Sequence, residues 1–450
     1  MDATSERLVD YTLQTRFEDL TPEIIAECKR RLLDTLGCVA SAYDHPVSVS
    51  ARKFAARYSM DTPVTMFGTG QQVSPEMGAF ANSVMLRASD MNDNFRKKGG
   101  GHPSDIIGAL FAGAELGEGD GKSFLTALAI GYEIYCSCCA GINLIGRGWD
   151  QPVYGVVAST LTVGKLIGLD RNQMGHALAL ALVPNMATMK TRHGELSIWK
   201  GCAAANAARN GVFAAMLAQE GFTGPEKPIE GKYGLWDMAG KFEWPLTPGM
   251  PPKYIADTDL KAFAICVHGQ TAVWVALDLR DQINIKDIEH IHVEVYARAH
   301  EMMGSDPERW TPKTRETADH SLPYVVASAL LDGKIDEASF SNAALNSVER
   351  AALMARITVK EDPAFTAVVP DGSPCRISIT MKDGSKRQHE LRYQKGHHGN
   401  PMSDDEVKDK FTSLFAEYGD TVQAERIISV VDNLDKLNDI KDLIDALAKQ

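Results

Sequence analysis

The sequence predicts a mainly α protein, with a large all-helical domain built from both chain ends and a smaller α+β domain inserted between them. Three observations carry this expectation. Alanine-rich stretches with few charges recur at helical spacing through the first 245 residues. Strand-like alternation and a hairpin signal are confined to residues 260–395. Helical spacing then returns to the end of the chain. With 450 residues, the chain is also longer than one hydrophobic core usually supports. The expected division is a helical domain over 1–258, an α+β domain over 259–395 and a helical return over 396–450.

Each element has a local reason. Thr21 can cap a helix that has Pro22 at its first position and Glu23 in its first turn. Ile24, Ile25, Cys28, Leu32, Leu36 and Val39 then follow at helical spacing. Apolar stretches at 106–116, 123–135, 156–168, 174–183 and 201–219 predict helices packed on other helices, because they lack a charged face. Pro245, Pro248, Gly249, Pro251 and Pro252 mark a loop-rich boundary. A helix is expected over 266–282. Beyond it, Ile291, Val293 and Val295 alternate with His290, His292 and Glu294, which is strand periodicity. A helix over 321–332 and a strand at Ile357 and Val359 follow. Arg376 to Arg392 predicts a hairpin turning at Asp383-Gly384, with Ile377, Ile379 and Met381 on one face. Ser403 and Glu406 form a capping box. Ile427, Ile428, Val431, Leu434, Leu437, Ile440 and Ile444 continue in helical register.

Composition narrows the function. The net charge of −12 and pI near 5.5 argue against nucleic acid and anionic membrane, both of which reward a basic surface. A locally basic pocket for an acidic small molecule remains compatible with that balance. The N-terminus is acidic and polar, unlike a signal peptide, and the eight scattered cysteines suggest no disulfide framework, so a cytoplasmic location is expected. Ser123 to Gly146 carries one charge, Glu133, and is expected to be a buried core helix with Cys136, Cys138 and Cys139 as small buried residues.

Four clusters could carry chemistry. Asp90, Asn94 and His102 accompany the run Gly99-Gly100-Gly101. A histidine delivered by such a loop can exchange a proton near neutral pH, and glycines permit close backbone approach to a ligand. If Asp90 and Asn94 lie on a helix, they share one face; in a loop they would serve as caps. Lys190, Arg192, His193 and Lys200 form either a carboxylate-binding site or an exposed basic loop. Lys261, His268 and Gln270 sit before a helix, where His268 could instead be a cap or a core histidine. In Asp319-His320-Ser321-Leu322-Pro323-Tyr324, Tyr324 could donate a proton or simply pack. His397-His398 is expected to be a hinge, since no carboxylate or cysteine pattern accompanies it in sequence. Dinucleotide, P-loop, serine-elbow and zinc-protease motifs are missing, which leaves acid/base catalysis with no metal and no cofactor.

Taken together, these residues resemble the MmgE/PrpD family, which includes 2-methylcitrate dehydratase, cis-aconitate decarboxylase and iminodisuccinate epimerase. The resemblance runs over Asp34-Thr35-Leu36-Gly37, the Asp90 to Asp105 block and Gly155 to Asp170. It continues through Trp199-Lys200-Gly201, Asn206 and Arg209, Lys261 to Thr271, Ala318 to Tyr324 and Asn400-Pro401-Met402. It implies a helical domain with an α+β lid, a homodimer, no cofactor and an active site between domains. The family's matching positions are Asp90, Asn94, His102, Lys200, Lys261, Tyr324 and His268, of which all but Asn94 are expected to be catalytic; Asn94, with Arg192, His193, Asp150 and Gln270 from this chain's own clusters, is expected to contact substrate. Asp150-Gln151 and His268-Gly269-Gln270-Thr271-Ala272 resemble the 2-methylcitrate dehydratase branch. Asn94 stands where the family usually has threonine, Arg96-Lys97-Lys98 is extra, and Ala264 replaces a usual proline. The expected activity is dehydration of a hydroxy-polycarboxylate. A decarboxylase or epimerase on the same scaffold, or an inactive tricarboxylate-binding protein, are the alternatives.

Overall fold

A computed structural model describes residues 1–449. The chain is mainly helical, with 56% of residues in helices, and its sheets are small. It divides into two compact units. One comprises Met1–Thr191, Gly201–Thr258 and the chain from Ser403 onward; the other comprises Arg192–Lys200 and Asp259–Met402.

The first unit is a helical assembly. The Pro22–Ser41 helix starts as its sequence dictates: Thr21 accepts a hydrogen bond from the Ile24 amide at 3.3 Å, with Pro22 next in line. The apolar stretches become helices Ile107–Leu116, Gly121–Gly141, Pro152–Leu166, Arg171–Leu182 and Ala203–Gln219. Pro152–Leu166 packs on Ala203–Gln219, which also packs on Pro75–Arg87. Alanine at these faces lets helix backbones approach closely, and each fully buried Leu, Ile or Val there contributes about 1.5–3 kcal/mol. The Gly121–Gly141 helix is long and apolar enough to cross a membrane, but 89% of its apolar window is buried inside the protein. All eight cysteines are buried thiols.

The C-terminal segment opens with the expected capping box at Ser403 and Glu406. Its helix, Asp404–Phe415, packs on Pro22–Ser41, and Lys410 Nζ reaches Asp34 Oδ1 at 2.5 Å. The helical register expected through 427–444 is broken. Thr421–Asp432 stops, a 3-10 turn follows at Leu434–Lys436, and the next α-helix is Lys441–Ala446. The backbone between them is used elsewhere: the Leu437 carbonyl accepts from the Gly121 amide at 3.0 Å, and the Ile440 amide donates to the Gly119 carbonyl at 3.0 Å. Those bonds dock the segment on the start of the Gly121–Gly141 helix and leave no room for a continuous helix.

The second unit is α+β. Its four strands lie in the order Ile357–Glu361, Ile288–Val295, Cys375–Met381, Lys386–Leu391. The first pair is parallel and the others antiparallel. Ile291, Val293 and Val295 face inward with Ile377 and Ile379, as alternation requires. Gly384 turns the hairpin in the left-handed conformation, φ +83°. Helices Gln270–Arg280 and Leu322–Asp332 pack on each other above this sheet. The Gln270–Arg280 helix starts later than the expected 266, because Val267–Gly269 forms a separate helical turn.

Candidate active site

Within the helical unit, residues 87–105 form one buried polar network. The chain leaves the Pro75–Arg87 helix and turns at Asp90, whose φ of +54° is left-handed. Such a conformation costs a non-glycine residue about 1–3 kcal/mol and persists only where its surroundings impose it. Here Arg87 imposes it: its Nη1 pairs with Asp90 Oδ1, and its Nε lies 3.7 Å from Asp105 Oδ1. Asp90 and Asn94 therefore do not share a helix face, because Asn94 lies in the strand-like run leading to Phe95. Asn92 Nδ2 donates to Ser104 Oγ at 2.9 Å and to Asp105 Oδ1 at 3.1 Å. Lys410 Nζ steadies the same loop by donating to the Met91 carbonyl at 3.3 Å.

Phe95–Arg96 pairs antiparallel with Gly100–Gly101, and this small hairpin returns His102 beside Asp93. His102 Nδ1 lies 2.5 Å from the Asp93 carbonyl oxygen. A carbonyl can only accept, so Nδ1 carries the proton and Nε2 is the basic nitrogen. The His102 amide donates to Tyr135 Oη at 3.0 Å. Ser104 donates twice to Asp93 Oδ1, from its amide at 3.1 Å and its hydroxyl at 2.6 Å. Burial holds the Asp93 carboxyl above its ordinary pKa, against the opposing hydrogen bonds from Ser104 and Tyr132.

The glycine run also leaves room for neighbouring side chains and backbone. A Cβ at Gly101 would sit 2.2 Å from Tyr135 Oη and 2.6 Å from Gln151 Oε1; one at Gly99 would meet the Ile142 carbonyl at 2.6 Å. Gly99 and Gly101 accommodate neighbouring helices. Asp150 is buried at the start of the Pro152–Leu166 helix, where its Oδ1 accepts from the Gln151 amide at 2.8 Å. Its own amide donates to the Ala187 carbonyl at 2.9 Å.

The second unit holds a different cluster, centred on Asp319, whose side chain is 0% exposed. Lys200 Nζ donates to both of its oxygens, at 3.0 and 2.9 Å. Arg315 Nη1 donates to Oδ2 at 3.2 Å, and His320 Nδ1 pairs with Oδ1. Burial and the nearby Lys200 charge press the His320 pKa down, but Cys266 and the Asp319 carboxylate outweigh them and leave it raised. One buried carboxylate thus holds two permanent cations and favours a third. Arg192 joins from the backbone side, donating from Nη1 to the Lys200 carbonyl at 3.1 Å.

Lys261 is also buried in this unit. Gln270 staples the loop that follows it: Oε1 accepts from the Ala262 and Phe263 amides at 3.1 and 3.2 Å, while Nε2 donates to the Phe263 carbonyl at 2.8 Å. Gln270 therefore positions the lysine loop, and its amide is already occupied. His268 Nδ1 pairs with Tyr296 Oη at 2.5 Å. Tyr324 is not brought to the Asp319 cluster: its hydroxyl donates to the Ser339 carbonyl at 2.6 Å, and its ring stacks on Phe340. His193 is exposed. Asp319, His320, Arg315, Arg87 and Asp93 carry the geometry but were not chosen from sequence. The adjacent Asp319-His320 was the available signal.

His397-His398 does have a carboxylate companion, contrary to the hinge expectation. Asp259 Oδ1 accepts from the His398 amide at 2.9 Å and pairs with His398 Nδ1 at 2.8 Å, although 139 residues separate them. Sequence spacing could not reveal a ligand supplied from so far away.

The chain matches known sequences along nearly its whole length. The MmgE/PrpD N-terminal domain matches residues 6–245, and the MmgE/PrpD C-terminal domain matches residues 263–436. The 2-methylcitrate dehydratase of Escherichia coli (strain K12) is 29% identical over 429 residues, covering 89% of this chain and 87% of that protein. The 2-methylcitrate dehydratase of Salmonella typhimurium is 29% identical, covering 94% and 92%. Cis-aconitate decarboxylase of Aspergillus terreus is 24% identical, covering 96% and 93%. Both halves being matched, the chain belongs to the MmgE/PrpD family.

Proposed function

We propose that the protein is a hydro-lyase that dehydrates a hydroxy-polycarboxylate such as 2-methylcitrate by acid/base catalysis. One observation carries this reading: His102 is held by the Asp93 carbonyl in the tautomer whose Nε2 can take a proton. Dehydration begins with removal of a proton α to a carboxylate, and His102 Nε2 takes that proton. Negative charge then builds on the substrate carboxylate, and cations stabilise it. Lys200 and Lys261 are the buried ammonium groups for that task, with Arg192 beside Lys200. The hydroxyl departs as water once protonated. His320, which Asp319 favours in its protonated form, suits that donor role better than Tyr324, whose hydroxyl already serves Ser339. Asp90 lies in the same network as His102 and fixes its loop through Arg87.

The names of the relatives support the substrate class, and the 2-methylcitrate dehydratases support dehydration in particular. The second reading, decarboxylation, rests on the fungal cis-aconitate decarboxylase match. Both reactions stabilise the same carbanion-like charge. Turnover of 2-methylcitrate and cis-aconitate separates them: water loss from the first supports the proposal, and carbon dioxide release from the second alone overturns it. We also infer a homodimer in the cytoplasm, which light scattering and cell fractionation check.

A further inference from the structure

We propose that Asp259, His397 and His398 form a binding site for a divalent transition-metal ion of the zinc class. One donor atom from each lies within 4.8 Å of the others. Zinc bonds nitrogen and carboxylate oxygen at about 2.0–2.2 Å, which sets tetrahedral donors about 3.4 Å apart. Small side-chain rotations therefore close the site. Two imidazoles and one carboxylate, with water in the fourth position, suit zinc, and imidazole ligands exclude magnesium and calcium.

The backbone brings these donors together before any metal arrives. Gly396 turns in the left-handed region, φ +92°, and its carbonyl accepts from the Leu260 amide at 2.8 Å. Its amide donates to the Asn400 carbonyl at 2.9 Å, which closes the turn carrying both histidines. The two rings stack with centroids 4.2 Å apart. His397 Nδ1 accepts from the Gly399 amide at 2.9 Å, which fixes the orientation of its ring. His398 Nδ1 lies 2.8 Å from Asp259 Oδ1, so two of the three donors are already adjacent.

The position gives the ion a purpose. Asp259 and Met402 bound the long segment of the second unit. A metal bridging Asp259 to His397 and His398 fastens the two ends of that segment, and clips that close long loops stabilise most.

The test is titration of the chelator-stripped full-length protein with zinc chloride by calorimetry, alongside H397Q and H398Q. One zinc per chain, and binding weakened by about tenfold or more in both variants, support the site. No stoichiometric binding to the wild type, or unchanged binding in both variants, overturns it. If H398Q fails to fold, H397Q decides alone, because it leaves the Asp259–His398 pair intact. Cobalt(II) in place of zinc gives a visible spectrum that the same variants must lose.

Discussion

The tautomer of His102 can be tested by choosing which ring nitrogen a substitution preserves. Asparagine places its amide nitrogen near the Nδ1 position, so H102N keeps an N–H for the Asp93 carbonyl but has no base. Glutamine places its amide near the Nε2 position and gives up that bond. A hydrogen bond of this kind contributes about 1 kcal/mol net. Urea unfolding should therefore find H102N close to wild type and H102Q less stable by about 1 kcal/mol. Catalysis should behave differently. A positioned base contributes ~10²–10⁴-fold, or about 3–5 kcal/mol of transition-state stabilisation. Both variants should lose kcat by that factor, measured as appearance of the conjugated double bond from 2-methylcitrate. An H102N enzyme within about tenfold of wild-type kcat would show that Nε2 does not take the proton.

Further outcomes follow from the buried clusters. K200M strands Asp319 inside the second unit; broken buried pairs cost about 3–5 kcal/mol, and Arg315 and His320 remain as partners, so urea unfolding should show a loss near 3 kcal/mol. The folded pKa of His320 is raised, so its contribution to stability is complete below about pH 6.5 and fades as pH rises through the folded value. The stability gap between wild type and H320Q should accordingly shrink as pH rises above about 6.5, and a constant gap refutes the assignment. Q270A releases the Ala262 and Phe263 amides, so it should cost about 1–3 kcal/mol and lower kcat by disordering the Lys261 loop, without removing any charged group. G101A forces a methyl group to 2.2 Å from Tyr135 Oη and should displace the His102 loop, seen as a loss of activity larger than its loss of stability.

Local rules made most elements legible. Thr21-Pro22, the Ser403 and Glu406 box, and Asp383-Gly384 each act within a few residues, so their geometry could be read directly. The alternation of Ile291, Val293 and Val295 gave the buried face of a strand before its partners were known. The break near Asn433 was hidden, because its cause is a tertiary pairing with Gly119 and Gly121. The site followed the same division. His102 and Lys200 stood out by residue type and loop setting. Asp319, Arg87 and Asp259 did not, because a carboxylate or guanidinium announces nothing until its distant partners are placed. Tyr324 shows the reverse: a chemically capable side chain whose hydroxyl is spent on Ser339.

The grip of Lys410 on Asp34 and on the Met91 carbonyl has an implication for biosynthesis. The clamp on the histidine-bearing loop belongs to a helix whose Lys410 lies 319 positions beyond Met91 in the chain. During synthesis the loop therefore has only its local partners, and this long-range grip is added after the Asp259–Met402 segment of the second unit has been made.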